Sequence, residues 1–244
     1  MYQEKESIVS LSQSLFFKEI SDIKINILLK KTQKVFFNKG RLFSEQELKS
    51  FIFIPLTGRV KSYQINPKTG KAYTILLFKQ GDIFDIVSFI DHQEHNVLFE
   101  VISKGEFIKI SYEILESWIK QEPQLNKNIL FLLSHMLLSV EQNATDLALY
   151  DTFTRLSKLI LRHIYSEPIS SNIKTKVKLK HIDTLSHEEM AHLIGTAREV
   201  VSRHIKVLKK KKILKTHRKR HHIINLEALL EQCHLPHLRK KTLL

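Results

Sequence analysis

Residues 185–208 read LSHEEMAHLIGTAREVVSRHIKVL, and their spacing decides the architecture. Ser186 is a good helix N-cap, and Glu189, three residues on, completes a capping box. Met190, Leu193 and Ile194 give the first helix one apolar face, while Ala191 leaves room for a second helix to cross closely. Gly195 stands where a tight turn needs a residue that tolerates positive φ. In the helix that follows, Val201, Ile205 and Leu208 fall at i, i+4 and i+7 and are expected to face inward. The other face carries Arg198, Glu199, Ser202, Arg203 and Lys206. The stretch is predicted to be a helix-turn-helix with a polar, mostly basic outer side.

The chemistry of that side suits the DNA major groove. Arginine makes paired hydrogen bonds to guanine O6 and N7, and a carboxylate accepts from cytosine N4. An exposed charged helix face is often only solvated, but the surroundings weigh against that here. Between Ile173 and His222 there are fifteen Lys or Arg against four Asp or Glu, so most of the chain's formal +14 lies in one fifth of its length. A basic footprint around a helix-turn-helix indicates nucleic acid, bound with salt-sensitive affinity.

At 244 residues the chain has room for two modest domains with their own cores. Cys233 is the one cysteine, which excludes an intramolecular disulfide framework and a cysteine-only metal site. No apolar run approaches the ~18 residues of a transmembrane span, and the start MYQEKESIVSLSQSLFF lacks the basic-then-apolar order of a secretory signal. A cytoplasmic protein, not bound to a membrane, is expected.

Upstream, residues 1–30 read as helical, with Leu15, Phe16, Ile20, Ile23, Ile27 and Leu28 on one buried face. From Gln33 the period changes to two. VFFNKG, FIFIPLTG, RVKSYQI, KAYTILLF and VLFEVIS are short β-type runs separated by turn residues, as in a sandwich or small barrel. After Ser111 the helical period returns. ISYEILESWIK reads as a short helix, and Glu122-Pro123 opens a long one. Along it Ile129, Leu133, Met136, Val140, Ala144 and Leu147 alternate steps of three and four, a coiled-coil-like seam. Leu130, Leu132, Leu137 and Leu138 add a second apolar side, expected to pack on the β domain. A helix apolar on two sides must bury both, so a second copy of the chain is expected along the seam. Asp151 to Tyr165 begins a third segment with another amphipathic helix, followed by a polar loop and the alternating KTKVKLKHI, a strand with lysines on its open face. Beyond the helix-turn-helix, KKKKILKTHRKRHHIINL reads as a two-stranded wing with a basic tip, and LEALLEQC as a last short helix.

REVVSR at 198–203, preceded by MAHLIG, resembles the Crp–Fnr superfamily of bacterial transcription regulators. The order G-R-V-K, a hairpin, then K-Q-G-D-I-F is similar to the roll of cyclic-nucleotide-binding domains. The resemblance implies an α+β fold: an N-terminal β-roll sensor domain at 1–122, a long dimerisation helix at 123–150 and a winged helix-turn-helix at 151–244. It implies base-reading roles for Arg198, Glu199, Ser202 and Arg203, on a palindromic site with TGA in each half. Contacts to phosphate would fall to Ser186, Lys206, His217 and Lys219, whereas Ala197 and Val200 replace polar residues that touch phosphate in the cyclic-AMP branch. Double-stranded DNA, a second copy of the chain and RNA polymerase are the implied partners.

The resemblance says less about the signal. Where family members hold a cyclic nucleotide with a Gly-Glu pair and an Arg-Ser or Arg-Thr pair, this chain has Asp85-Ile86 and Asn96-Val97. The phosphate-pairing arginine is absent, and Asp85 and Asp91 add negative charge where an anion would sit. The positions that would touch the base are Val140 and Glu141. No N-terminal cysteines exist to hold an iron–sulfur cluster. No cofactor is predicted; haem stays open through His92, His95 or His135, and the effector is unassigned. Two other classes also stay open, a cupin-like metal enzyme and a protein that coats DNA without reading it. Residues 33–110 contain only His92 and His95 as H-x-x-H, not the H-x-H of a cupin, and no P-loop, G-x-S-x-G or H-E-x-x-H occurs. A non-enzymatic regulator is the reading that accounts for most of these features.

Overall fold

In the computed structural model, residues 11–12, 14–93, 95–165, 177–178, 185–217 and 220–234 are described. The chain divides into two compact units, Met1–Gly70 with Ile75–Val140 and Lys71–Thr74 with Glu141–Leu244.

The first unit opens with α1 (Asp22–Leu29), capped by the Ser21 hydroxyl. Strands β1 (Gln33–Phe37), β2 (Phe51–Pro55), β3 (Arg59–Ile65), β4 (Ala72–Phe78), β5 (Leu98–Ser103) and β6 (Gly105–Ser111) follow, interrupted by α2 (Glu45–Leu48) and α3 (Ile86–Asp91). They form two three-stranded sheets, ordered β1-β6-β2 and β4-β3-β5. In the first sheet β6 lies antiparallel to both neighbours, with Val35 opposite Phe107 and Ile54 opposite Ile108. After it come α4 (Tyr112–Gln121) and α5 (Gln124–Leu149), the long helix that runs through the division between the units.

The first sheet is apolar on both faces, which explains why FIFIP does not alternate with polar residues. Successive side chains of a strand point to opposite faces. Phe53 and Phe107 therefore join Phe43, Phe78, Phe84 and Phe99 in one core cluster, with Val60 and Val101 of the second sheet. Their rings meet at 4.9–6.1 Å; Phe84 lies at the centre, within 5.1 Å of Phe43 and 5.5 Å of Phe99. Ile52, Ile54, Ile108 and Ile110 point the other way, into a second cluster with Phe16, Phe17, Trp118 and the long-helix residues Leu125, Ile129 and Leu132. The buried Asn128 amide donates to the carbonyls of Phe16 and Lys18, at 2.8 Å each, and holds the N-terminal segment to the long helix.

Where the β2–β3 and β5–β6 turns cross, backbone meets backbone. A Cβ on Gly105 would stand 2.3 Å from the Thr57 carbonyl oxygen, and one on Gly58 2.6 Å from that of Ser103. Gly58 also has φ +79, so glycine serves there twice over.

The second unit continues with α6 (Thr152–Tyr165), β7 (Val177–Lys178), α7 (His187–Ile194), α8 (Arg198–Lys210), β8 (Leu214–His217), β9 (Arg220–Ile223) and α9 (Leu226–Gln232). The three strands form a sheet ordered β7-β9-β8, with Lys215 opposite His222 and Val177 opposite Ile223. Most of KTKVKLKHI lies outside the described residues.

The structure corrects three expectations. Among the described residues the N-terminal helix runs only from Asp22 to Leu29; Phe16, Ile20 and Leu28 are buried as expected, but Ile23 (75% exposed), Ile27 and Leu15 are not, and with Ser21 as the cap Ile25 points inward in their place. GEFIKIS, not anticipated as a strand, is β6 at the centre of its sheet. On the long helix the expected division of faces is reversed over its first half. Ile129, Leu133 and Met136, assigned to an intermolecular seam, pack within the chain's own core together with Leu132. Leu130 (66% exposed), Leu137 (68%) and Leu138 (60%) are uncovered instead. Val140, Ala144 and Leu147 are exposed.

Removing the ring at the centre of the phenylalanine cluster leaves a cavity that stiff neighbours cannot fill. Phe84→Ala is expected to cost ~3–5 kcal/mol. Urea unfolding followed by fluorescence of Trp118, the single tryptophan and a member of this unit's core, provides the measurement.

Candidate nucleic-acid interface

α7 begins with the anticipated box: the Ser186 hydroxyl accepts from the Glu189 amide at 3.1 Å, and the Glu189 carboxylate accepts from the Ser186 amide. The helix ends at Gly195, in the left-handed region at φ 64 and ψ 44. A Cβ there would stand 2.9 Å from Leu147 Cδ2, so the end of the long helix packs on this turn. Val201, Ile205 and Leu208 of α8 are all buried.

That anchoring turns the other side outward. Arg198, Glu199, Arg203 and Lys206 are exposed and Ser202 is half-buried. Glu199, Ser202, Arg203 and Lys206 line one open groove of about 530 Å³, together with Val207 and Lys210. Ser186 is exposed at the start of α7. His217 ends β8 opposite Arg220, but its side chain and the whole of Lys219 lie outside the described residues.

The surrounding field is positive. Lys209 to Lys212 are exposed across the end of α8, with Lys211 Nζ 2.9 Å from Gln232 Oε1 and 5.3 Å from the Phe153 ring centroid. His187 registers this field: burial first, then Lys209 and Arg198, hold its pKa below the usual histidine value. A buried ion cluster also escaped the sequence reading. Asp146, near the end of the long helix, accepts from Lys158 and Arg162 of α6 at 2.8 Å each. Its two partners lie sixteen residues or fewer away, at spacings that no single helix pattern announces.

In the first unit, Asp85 has left-handed backbone (φ 60) and accepts from the Ser88 hydroxyl at 2.7 Å. Burial pushes its pKa up to about 6 against that hydrogen bond and the nearby His95. His92 is the exposed left-handed C-cap of α3, His95 Nε2 stands 3.8 Å from Asp91 Oδ2, and His135 is exposed on the long helix. These three are not brought together by any shared element. Among the described residues, no group of three His, Cys, Asp or Glu side chains could hold a metal ion, and no helix is long and apolar enough to cross a membrane. Cys233, at the end of α9, is fully buried, and burial pushes its thiol up to about 12.

A β-roll joined through a long helix to a winged helix-turn-helix, with a basic recognition helix facing outward, defines a DNA-binding transcription regulator. Residues 154–232 match the model of the Crp-like helix-turn-helix domain. Curated relatives include a CRP-like cAMP-activated global transcriptional regulator of Mycobacterium tuberculosis, 25% identical over 79% of this chain and 84% of its own. A global nitrogen regulator of Nostoc is 28% identical over 69% of this chain and 74% of its own. Among solved structures, a CooA mutant of Carboxydothermus hydrogenoformans superposes with a TM-score of 0.69 at 19% identity, over 92% of this chain and 94% of that one. The c-di-GMP responsive regulator CLP of Xanthomonas campestris gives 0.68 at 19% identity, over 84% and 100%. The two structures share the fold. The helix-turn-helix is of the Crp-like kind, and most of the chain's length is similar to transcription regulators of that type.

Phosphates brought against Lys209 and Arg198 would offset the charges that depress His187. The His187 ring is therefore expected to titrate below the ordinary ~6.5 in the free protein and to move upward when a DNA duplex is added. An NMR titration of its ring proton checks this; an unmoved midpoint takes His187 off the interface.

Proposed function

We propose that the chain binds a palindromic DNA site as a homodimer, each recognition helix reading a TGA-containing half-site. The observation that carries this reading is the outward placement of Arg198, Glu199, Ser202 and Arg203 on a helix whose other side is buried. Arg203 and Arg198 are assigned to guanine edges, Glu199 to a cytosine N4 amine, and Ser202 to the outer part of the half-site. Ser186, Lys206, His217 and Lys219 are assigned to the backbone, where they position without specifying. The DNA-coating alternative predicts instead that these base-facing side chains make no difference between sequences.

A two-fold pair of such helices about one DNA turn apart needs a symmetric contact. Leu130, Leu137 and Ala144, seven residues apart, with Phe131 and Leu138 beside them, supply an uncovered apolar stripe on the long helix. The second copy is assigned to this stripe, continued by Val140 and Leu147. RNA polymerase is the expected further partner, and the cytoplasm the expected compartment.

The mycobacterial relative is named as cAMP-activated, but two features support a different control here. The roll interior is occupied by phenylalanine rings, and Asp85 stands where the resemblance would place the ribose-binding pair. We infer regulation that does not depend on a cyclic nucleotide and leave the effector unassigned.

Arg203→Ala and Glu199→Ala should each lose roughly 1–3 kcal/mol on a site selected by the wild-type protein. On random duplex they should change little, as read by fluorescence anisotropy at fixed salt. Equal losses on both DNAs would favour coating. Leu137→Glu should convert a dimer to a folded monomer by sedimentation, whereas an unchanged mass would remove the stripe from the interface.

A further inference from the structure

His204 follows Arg203 directly but does not share its surface. Successive helical residues are rotated by about 100°, so His204 and Lys211, seven positions apart, form a flank between the buried side and the DNA-facing side. That flank meets the first turn of α6. His204 Nε2 shares a 2.8 Å hydrogen bond with Thr152 Oγ1, and its ring meets Phe153 edge-on, with centroids 5.2 Å apart at 77°. Lys211 Nζ lies 5.3 Å from the centroid of the same Phe153 ring. Two neighbouring residues of α6 thus hold one imidazole, the first by a directional bond and the second by a ring edge.

Thr152 begins α6 only three residues after the long helix ends at Leu149. Its own position is fixed: the Asp151 carboxylate accepts from the Thr154 amide at 2.8 Å, and Arg155 Nη1 donates to the Leu147 carbonyl. The His204–Thr152 bond is thus a polar contact between the end of the long helix and the base-facing side of α8, beside the packing of Leu147 on the Gly195 turn and of Lys211 on Phe153. Burial, and then the Arg203 charge, hold the His204 pKa below the usual histidine value against the pull of Asp151. Both causes favour the neutral ring over the charged one beside Arg203.

We propose that His204 is a positioning residue, whose grip on Thr152 and Phe153 ties the recognition helix to the end of the long helix and sets where Arg203 meets the base edges. This rests on the base-reading assigned to Arg203 above. A structural histidine that merely filled space would affect all DNA alike and would tolerate loss of the Thr152 hydroxyl.

The test uses the full-length protein and two probes: a duplex enriched from a random pool by the wild type, and a scrambled duplex of the same composition. His204→Ala and the shape-conserving Thr152→Val should each weaken binding to the enriched duplex roughly 3- to 10-fold, the range for one lost hydrogen bond. Binding to the scrambled duplex should stay within about twofold. The double variant should be no worse than the weaker single one, because both remove the same contact. His204→Gln, which can reach Thr152 through its amide, should recover most of the loss. The proposal is overturned if the single variants bind like the wild type, if their losses multiply in the double variant, or if both duplexes are weakened equally. A wild type that enriches no sequence would instead defeat the base-reading assignment itself, and His204 would then have nothing to position.

Discussion

Burial of Val201, Ile205 and Leu208 is the constraint from which the second unit's chemistry follows. Each fully buried aliphatic side chain contributes about 1.5–3 kcal/mol, so the three together hold the helix at one rotation. Turning it by one residue, about 100°, would bring Ser202, Lys206 and Lys209 towards the interior. A lysine so placed would be desolvated without a partner, which costs far more than the turn could return. Arg198, Glu199 and Arg203 therefore stand outward because their neighbours cannot. The capping box at Ser186 and the left-handed Gly195 then set where the axis of this helix begins.

Features encoded within a few residues were legible in the chain. The capping box, Gly195, the outward polar face of α8 and the long helix after Pro123 all appear where local spacing places them. Strand β6 was not, because GEFIKIS follows VLFEVIS with only Lys104 between them, too short a gap to announce a turn. The close approach of Gly105 to Thr57 that permits so tight a reversal is a tertiary contact, invisible in one dimension. The long helix shows the same limit differently. Its periodicity revealed two apolar sides, but both are apolar, and only the packing of Ile129, Leu132 and Met136 shows which the roll covers. The Thr152–His204 and Asp146–Lys158–Arg162 contacts join distant stretches by polar groups that no hydrophobic pattern marks.

The cluster between the two sheets of the roll is made mostly of aromatic rings, with Val60 and Val101 among them. Tilted and edge-to-face pairs between Phe37, Phe43, Phe53 and Phe107 give directional packing beyond the area they bury. Such an interior resists the insertion of polar groups, and charged groups stand at its edges: Asp85 where the chain enters α3, and Arg41 over the Phe37 and Phe43 rings.

The depth of Cys233 has a practical use. A thiol with no solvent access and almost no thiolate at neutral pH scarcely reacts with maleimides or iodoacetamides. Because it is the chain's sole sulfhydryl, the natural protein already serves as a silent background for spectroscopy. A cysteine introduced at an exposed position of the long helix would carry a spin or fluorescent label unaccompanied, and a measured separation between two such labels would report directly whether two copies pair and how far apart.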